Sequence, residues 1–305
     1  MFQGSCVALV TPMKDGRIDE EKLRELVEWH VREGTQALVP CGSTGEAATL
    51  KQEEYLRVLR AVVDQSKKRL PVIAGVSGNA TWKVSEIFQE VAGLGVDAAL
   101  VLVPYYNKPT QGGLLEHFKV VARSAKLPIV VYNIPGRTGV NLLPATLVRL
   151  ARECSNIVAV KEASGNLDQV SEIVGTAPSG FVVLSGDDSL TLPMMSVGAR
   201  GVVSVVANIL PKDTSQLCRA YLDGCLQEAQ KLHGKLYPVI KALFIETNPI
   251  PVKAAMEFLG LCRSEIRLPL TPLSPESQKK LVPVLEDYGL KVRKPSLAVA
   301  SSAIV

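Results

Sequence analysis

No stretch of this chain is long and apolar enough to cross a bilayer, since nothing approaches the ~18 apolar residues a spanning helix needs. The opening MFQGSCVALVTPMKDG lacks a basic leader, and its short apolar run stops at Pro12 and then at charge. A secretory signal is therefore not expected, and the expected location is the cytoplasm. Charge of one sign is scarce too: 34 Lys and Arg against 30 Asp and Glu leave a net charge of +4. The one tight basic cluster is KVRK near the C-terminus, which gives no footprint for nucleic acid. Cys6, Cys41, Cys154, Cys218, Cys225 and Cys262 are far apart and never form C-x-x-C, so no disulfide framework is expected. His30, His117 and His233 are isolated, without metal-ligand spacing, and no metal is expected. No G-x-G-x-x-G follows the first apolar run, which removes support for a dinucleotide fold.

What is present is repetition. The 305 residues are 47% hydrophobic and 21% charged, ordinary values for a globular chain. Short runs rich in Val, Ile and Ala recur as CVALVTP, ALVPCGS, PVIAGVSG, AALVLVP, PIVVYNIP, IVAVKEAS, FVVLSGDD and GVVSVVAN. They lack polar alternation, as strands buried on both faces do. Between them lie amphipathic stretches, such as Leu23, Leu26, Val27 and His30, or Tyr55, Leu56, Leu59, Val62 and Val63. One strand begins about every 20 to 34 residues, the length of one β–α unit. The expected class is α/β: a (β/α)8 TIM barrel over residues 1–224, with a small C-terminal helical appendage over 225–290. Its helices are expected near Lys212–Glu246, interrupted by Gly224 and Pro238, then Pro251–Leu259 and Pro275–Tyr288, with Gly289 as C-cap. Residues 291–305 are expected to form a mobile tail or a crossing arm.

In a barrel, the chemistry sits where strands end at the C-terminal face. Lys161 ends the run Ile157–Val160 and is the one lysine among those termini. Dry surroundings disfavour an ammonium and leave a fraction of nucleophilic amine, which condenses with carbonyls to a Schiff base. From position alone the simpler reading is a solvated lysine, or one paired with Glu162. Tyr132, on the preceding strand, is a candidate proton-transfer partner, but an unaided tyrosine is a poor base and needs a relay. Ser43, Thr44 and Tyr106 are the hydroxyls available for it, while for one of the pair Tyr105 and Tyr106 amphipathic packing at an interface is the better reading. GSTGE reads either as a turn with Ser or Thr capping a helix, or as a carboxylate cradle. Arg137, in PGRTG, suits bidentate carboxylate recognition or is a surface charge. Asp187 and Asp188 would repel a phosphate at a place where barrels often hold one.

GSTGEAATL, PYYNKPTQGGLLEHF, YNIPGRTG, VAVKEASGN, LSGDD and ETNPIPVK, in this order, resemble the dihydrodipicolinate synthase (4-hydroxy-tetrahydrodipicolinate synthase) family. This belongs with the class I, pyruvate-dependent aldolases, and the resemblance spans residues 1–290. It implies a lyase that condenses pyruvate with L-aspartate 4-semialdehyde in lysine and diaminopimelate biosynthesis. It further implies a Schiff base on Lys161, with no cofactor beyond that lysine, and Tyr132, Thr44 and Tyr106 as proton relay. Tyr106 is expected to reach in from a neighbouring subunit of a homotetramer built as a dimer of dimers. Arg137 matches the arginine that takes the semialdehyde carboxylate, and Ser43, Thr44, Gly186 and Val203 match positions lining the pocket.

Ser43 stands where the synthases usually carry threonine, and GSTGE is the form common in the sialic-acid lyases; Arg137 argues the other way, since the lyases lack it. Ala47, Gln52, Tyr55, Asn79, Lys83 and Tyr105 match the lysine-effector cleft, where sensitive members carry an acidic residue in place of Lys83. Weak or absent lysine feedback is expected. The other readings are a related pyruvate-dependent aldolase (an N-acetylneuraminate or keto-deoxy sugar-acid lyase) and a non-catalytic barrel that binds a keto acid. The second would be expected to lose Lys161 or Tyr132, and both are kept.

Overall fold

A computed structural model describes residues 2–293. Eight strands form one parallel sheet: β1 (Gly4–Ala8), β2 (Ala37–Val39), β3 (Ile73–Val76), β4 (Ala98–Leu102), β5 (Ile129–Asn133), β6 (Ile157–Glu162), β7 (Val182–Ser185) and β8 (Gly201–Ser204). Hydrogen-bonded neighbours run in the order β2-β1-β8-β7-β6-β5-β4-β3. The two ends meet through the Leu38–Val72 bridge, and Leu38 N donates to Pro71 O at 2.9 Å. The sheet therefore closes into the (β/α)8 barrel expected of the repeat.

Closure explains the missing polar alternation. One set of strand side chains, including Cys6, Ala37, Ala98 and Ala159, packs inside the barrel, where small residues fit the narrow bore. The alternate set, including Val7, Leu38, Val131 and Val160, packs outward under the helices. Both faces are dry, so both are apolar.

The helices that follow the strands in turn are α1 (Glu20–Glu33), α2 (Gln52–Ser66), α3 (Thr81–Ala92), α4 (Gln111–Ser124), α5 (Pro144–Glu153), α6 (Leu167–Thr176), α7 (Thr191–Ser196) and α8 (Pro211–Leu222). Their ends carry local signals: Asp19 caps α1 by accepting from Lys22 N, Thr110 caps α4 and Asn166 caps α6. Three further helices follow, α9 (Leu226–Ala242), α10 (Ile250–Phe258) and α11 (Pro275–Asp287). Gly224, at φ +80°, separates α8 from α9 as expected. Pro238 does not interrupt: it lies inside α9, correcting the expected break there. A helical proline forfeits one backbone hydrogen bond, and here the burial of Leu236, Val239 and Ile240 on the same helix outweighs it. After α11, Gly289 takes φ +95° and Leu290 N donates to Leu285 O at 3.0 Å, the C-cap pattern expected of that glycine. Arg293 N donates to Phe258 O at 2.7 Å; the rest of the expected tail, 294–305, lies outside the described residues.

Two of the three histidines serve the core. His30 is fully buried, its Nδ1 2.9 Å from Thr35 Oγ1, and burial pushes its pKa down to about 3. His117, with Nδ1 3.0 Å from Thr81 Oγ1, is pushed down to about 4. Both stay neutral when folded, whereas an unfolded histidine protonates below pH ~6.5. Their contribution is complete above that pH and is lost as pH falls through 6.5 toward the folded values. For His30 the expected loss between pH 6.5 and 4.5 is roughly 2–3 kcal/mol, at ~1.4 kcal/mol per unit. Urea titrations at pH 7.5 and 4.5 check it: the acid-induced loss should shrink by about that much in His30→Leu.

Candidate active site

Residues at the C-terminal ends of β2, β5, β6, β7 and β8 converge on one chamber, lined among others by Ser43, Thr44, Tyr132, Arg137, Lys161, Gly186, Val203 and Asn248. It opens into an outer cleft of about 560 Å³ lined by Ala47, Tyr105, Thr138, Asn248 and Leu270 among others.

Lys161 pairs in register with Tyr132 across β5 and β6, and its Nζ stands 4.1 Å from the Tyr132 ring centroid. The lysine is only 6% exposed. Among the described residues no carboxylate pairs with it. The suggested pairing with Glu162 does not occur, because successive side chains of a strand point to opposite faces. Glu162 faces outward and is taken by Asn133 Nδ2 at 3.0 Å, Gln169 Nε2 at 3.1 Å and Ser164 N at 2.7 Å. The same alternation sends Tyr132 and Lys161 inward together and locks Asn133 to Glu162 behind them.

No thiol competes with this amine. Cys6 lies fully buried in the bore, where burial pushes its pKa up to about 12 against the opposing charge of Lys161. Burial raises Cys41 too, so both stay protonated, and Cys41 serves as a small hydrophobe. Gly186 gives the lysine room: a Cβ there would lie 3.1 Å from Lys161 Cε and 2.6 Å from Ala163 Cβ.

The GSTGE loop is held in an unusual shape. Cys41 and Glu46 both take φ +56°, and β3 approaches so closely that a Cβ on Gly75 would collide with the Cys41 carbonyl. Neither Ser43 nor Thr44 caps a helix: the turn Ala47–Thr49 starts at Glu46 with no side-chain cap. The buried Thr44 hydroxyl instead accepts from Asn248 Nδ2 at 3.0 Å. Arg137 lies on the single turn Pro135–Thr138, ended by Gly139 at φ +73°. It lines both chamber and cleft, and its Nη2 donates to Asn248 O at 3.1 Å.

Tyr106 is not brought to this chamber. It is 86% exposed, with φ +74°, while Tyr105 lines the outer cleft. The acidic pair ending β7 is structural: Asp187 caps Ser189, and Asp188 accepts from Val205 N at 2.8 Å and Val206 N at 3.0 Å, tying the β7 and β8 loops together. Burial raises the Asp188 pKa. Of the positions expected to form an effector cleft, Ala47 and Tyr105 line the outer cleft. Gln52 Nε2 donates to Glu90 at 2.7 Å, Tyr55 OH donates to Gly75 O at 2.8 Å, and Asn79 O accepts from Asn107 at 2.8 Å. Lys83 Nζ lies 5.2 Å from the ring centre of the exposed Trp82.

Two residues near the site had no role in the sequence reading, Asn248 and Lys253. Lys253 is fully buried on α10; its Nζ pairs with Glu46 at 2.7 Å and donates to the carbonyls of Thr11, at 3.2 Å, and Glu265. The signal available was ETNPIPVK, which puts a lysine on the otherwise apolar helix face that continues into AAM.

The model of the dihydrodipicolinate synthetase family matches residues 1–288. The 4-hydroxy-tetrahydrodipicolinate synthase of Geotalea uraniireducens (strain Rf4) is 53% identical over 290 residues, covering 95% of this chain and 100% of that protein. The crystal structure of dihydrodipicolinate synthase from Aquifex aeolicus superposes with a TM-score of 0.94 at 51% identity, over 96% of this chain and 100% of that one. A structure described as a monomeric dihydrodipicolinate synthase variant superposes with a TM-score of 0.93 at 42% identity, over 95% of this chain and 97% of that one.

Proposed function

The chain belongs to the dihydrodipicolinate synthetase family, and on that premise we propose that it condenses pyruvate with L-aspartate 4-semialdehyde to 4-hydroxy-tetrahydrodipicolinate, in lysine and diaminopimelate biosynthesis. The observation that carries the reading is Lys161 at the end of β6, buried and unpaired above the Tyr132 ring.

Lys161 Nζ attacks the keto carbon of pyruvate, and loss of water leaves an imine. A methyl proton then leaves, the enamine carbon attacks the aldehyde, and the new alkoxide takes up a proton. The amino group of the adduct displaces Lys161 from the imine carbon, closing the ring and freeing the lysine. Tyr132 and Thr44 carry the protons, and Ser43 with the backbone nearby holds the pyruvate carboxylate. Gly186 and Val203 shape the chamber, and Arg137 at its mouth takes the semialdehyde carboxylate, a bidentate match a polyol could not make. These steps call for no cofactor and no metal. Tyr106 completes the relay from a second copy of the chain; its exposure and positive φ support that role. We take the assembly to be a tetramer, a dimer of dimers working in the cytoplasm. The barrel, 1–224, supplies the reacting groups and the helical unit, 225–290, braces them.

The test is borohydride reduction in the presence of pyruvate, which should leave a three-carbon adduct on Lys161. A parallel assay should show turnover with aspartate semialdehyde and none with N-acetylneuraminate. An unmodified Lys161 would sink the reading.

At the effector positions, Lys83 places a cation where a lysine effector needs an anion. The expected outcome is weak or absent feedback. Inhibition curves check it: Lys83→Glu should become more sensitive to lysine by roughly tenfold, on the order of 1–3 kcal/mol of recovered attraction.

A further inference from the structure

The C-terminal segment grips the β2 loop at several points. Besides the Asn248–Thr44 contact and the Lys253–Glu46 pair, Arg267 N donates to Glu46 Oε2 at 3.2 Å and Arg267 Nη1 to Thr49 O at 3.0 Å. Three of these four contacts hold the loop. The fourth reaches a hydroxyl that the reading above puts in the proton relay.

Asn248 is 6% exposed, and its side-chain oxygen meets no donor among the described residues. A buried amide oxygen without a partner costs stability, and an aliphatic side chain of similar size would avoid that cost. Packing alone therefore does not account for the amide. What it does is occupy one lone pair of Thr44 Oγ1, because its Nδ2 donates there at 3.0 Å. A threonine hydroxyl has one proton and two lone pairs. Once it accepts from Asn248, its own O–H must point elsewhere. The backbone oxygen of the same residue accepts from Arg137 Nη2, so one residue touches both the relay and the carboxylate-binding arginine.

We propose that Asn248, supplied from outside the barrel, is a positioning residue that sets the direction of the Thr44 proton and so the rate of the proton-transfer steps. The inference rests on the Schiff-base reading and adds to it a role for the appendage in the chemistry itself.

The enamine half-reaction isolates the effect, since exchange of pyruvate methyl hydrogens for deuterium needs Lys161 and the relay but no second substrate. Asn248→Ala should lower the exchange rate by about 10- to 100-fold. Borohydride trapping at saturating pyruvate should stay within about twofold of the wild type, because imine formation uses Lys161 directly. In the full reaction kcat should fall with exchange, while KM for the semialdehyde changes by less than about twofold, since the backbone contact to Arg137 is untouched. Asn248→Asp is the sharper variant. It matches asparagine in size but accepts where the amide donated, turning the Thr44 proton toward itself, and should exchange more slowly than Asn248→Ala.

A purely structural role predicts the opposite ranking, with the isosteric variant closer to wild type. Exchange unchanged in both variants, that reversed ranking, or trapping lost in step with exchange would each overturn the proposal. Should Asn248→Ala fail to fold, Asn248→Asp against wild type decides it alone: slow exchange with intact trapping supports it, and any other result overturns it. A wild type that traps no pyruvate would instead bring down the Schiff-base reading, and this inference with it.

Discussion

Lys161→Ala is expected to abolish synthesis, lowering kcat by at least ~10⁴-fold, because the proposed mechanism makes this lysine the nucleophile on which both covalent stages depend. Lys161→Arg should be as inactive, since a guanidinium keeps its proton and cannot form an imine. Neither should take up pyruvate on borohydride reduction. Stability moves the other way. No carboxylate among the described residues pairs with the buried Lys161, so its replacement strands no partner. The cation lies 4.1 Å from the Tyr132 ring centre, an attraction of about 1–2 kcal/mol that only partly offsets burying an ammonium. Lys161→Met is therefore expected to unfold at the same or a higher urea concentration than wild type, while losing all activity. Steady-state assays and urea titrations on one preparation check both. A variant that lost stability and activity together would mean the lysine holds the fold, and residual turnover above ~1% of wild type would put the nucleophile elsewhere.

That prediction was open to a reader of the sequence, and the reason is geometric. A parallel barrel announces each strand as an apolar run and puts its chemistry at the run's end. IVAVKE and VVYNIP therefore expose Lys161 and Tyr132 to inspection, and strand alternation shows that Glu162 points away. The repeat length did the same for the architecture. Other features depend on partners that sequence proximity does not reveal. GSTGE leaves open a cap by Ser43 or Thr44 because caps are local; the hydroxyl partner of Thr44, Asn248, is 204 residues away. Pro238 looked like a break because proline penalties are local, whereas the burial that offsets this one comes from neighbouring elements. Tyr106, expected to act in a neighbouring subunit, stands exposed and away from the chamber of its own chain, so its place of action is not legible in one chain.

The largest stability effect is expected at another contact of this long-range kind. Glu46 and Lys253 are 207 residues apart and almost wholly buried, at 2% and 0% side-chain exposure, with Nζ 2.7 Å from Oε1. Replacing such a pair by apolar groups can be nearly neutral, but removing one partner strands a charge in a dry site. The two halves are not equivalent here. Among the described residues, Lys253→Met leaves the Glu46 carboxylate with only the Arg267 backbone N–H at 3.2 Å. Glu46→Gln leaves the ammonium with the carbonyls of Thr11 and Glu265 and, in place of the carboxylate, an amide oxygen. Lys253→Met should therefore destabilise by roughly 3–5 kcal/mol and Glu46→Gln by less, about 1–3 kcal/mol. The double variant should recover part of the loss, with a coupling of at least ~1 kcal/mol in the cycle. Because Glu46 follows Thr44 by two residues, the loss should also reach the site. Lys253→Met should loosen the β2 loop and lower kcat, with Lys161 still trapping pyruvate below the unfolding transition. Urea titrations of the four proteins give the energies and borohydride trapping gives the site. Strictly additive single-variant losses would mean that the two charges do not act as a pair, and that the appendage holds the loop by its other contacts alone.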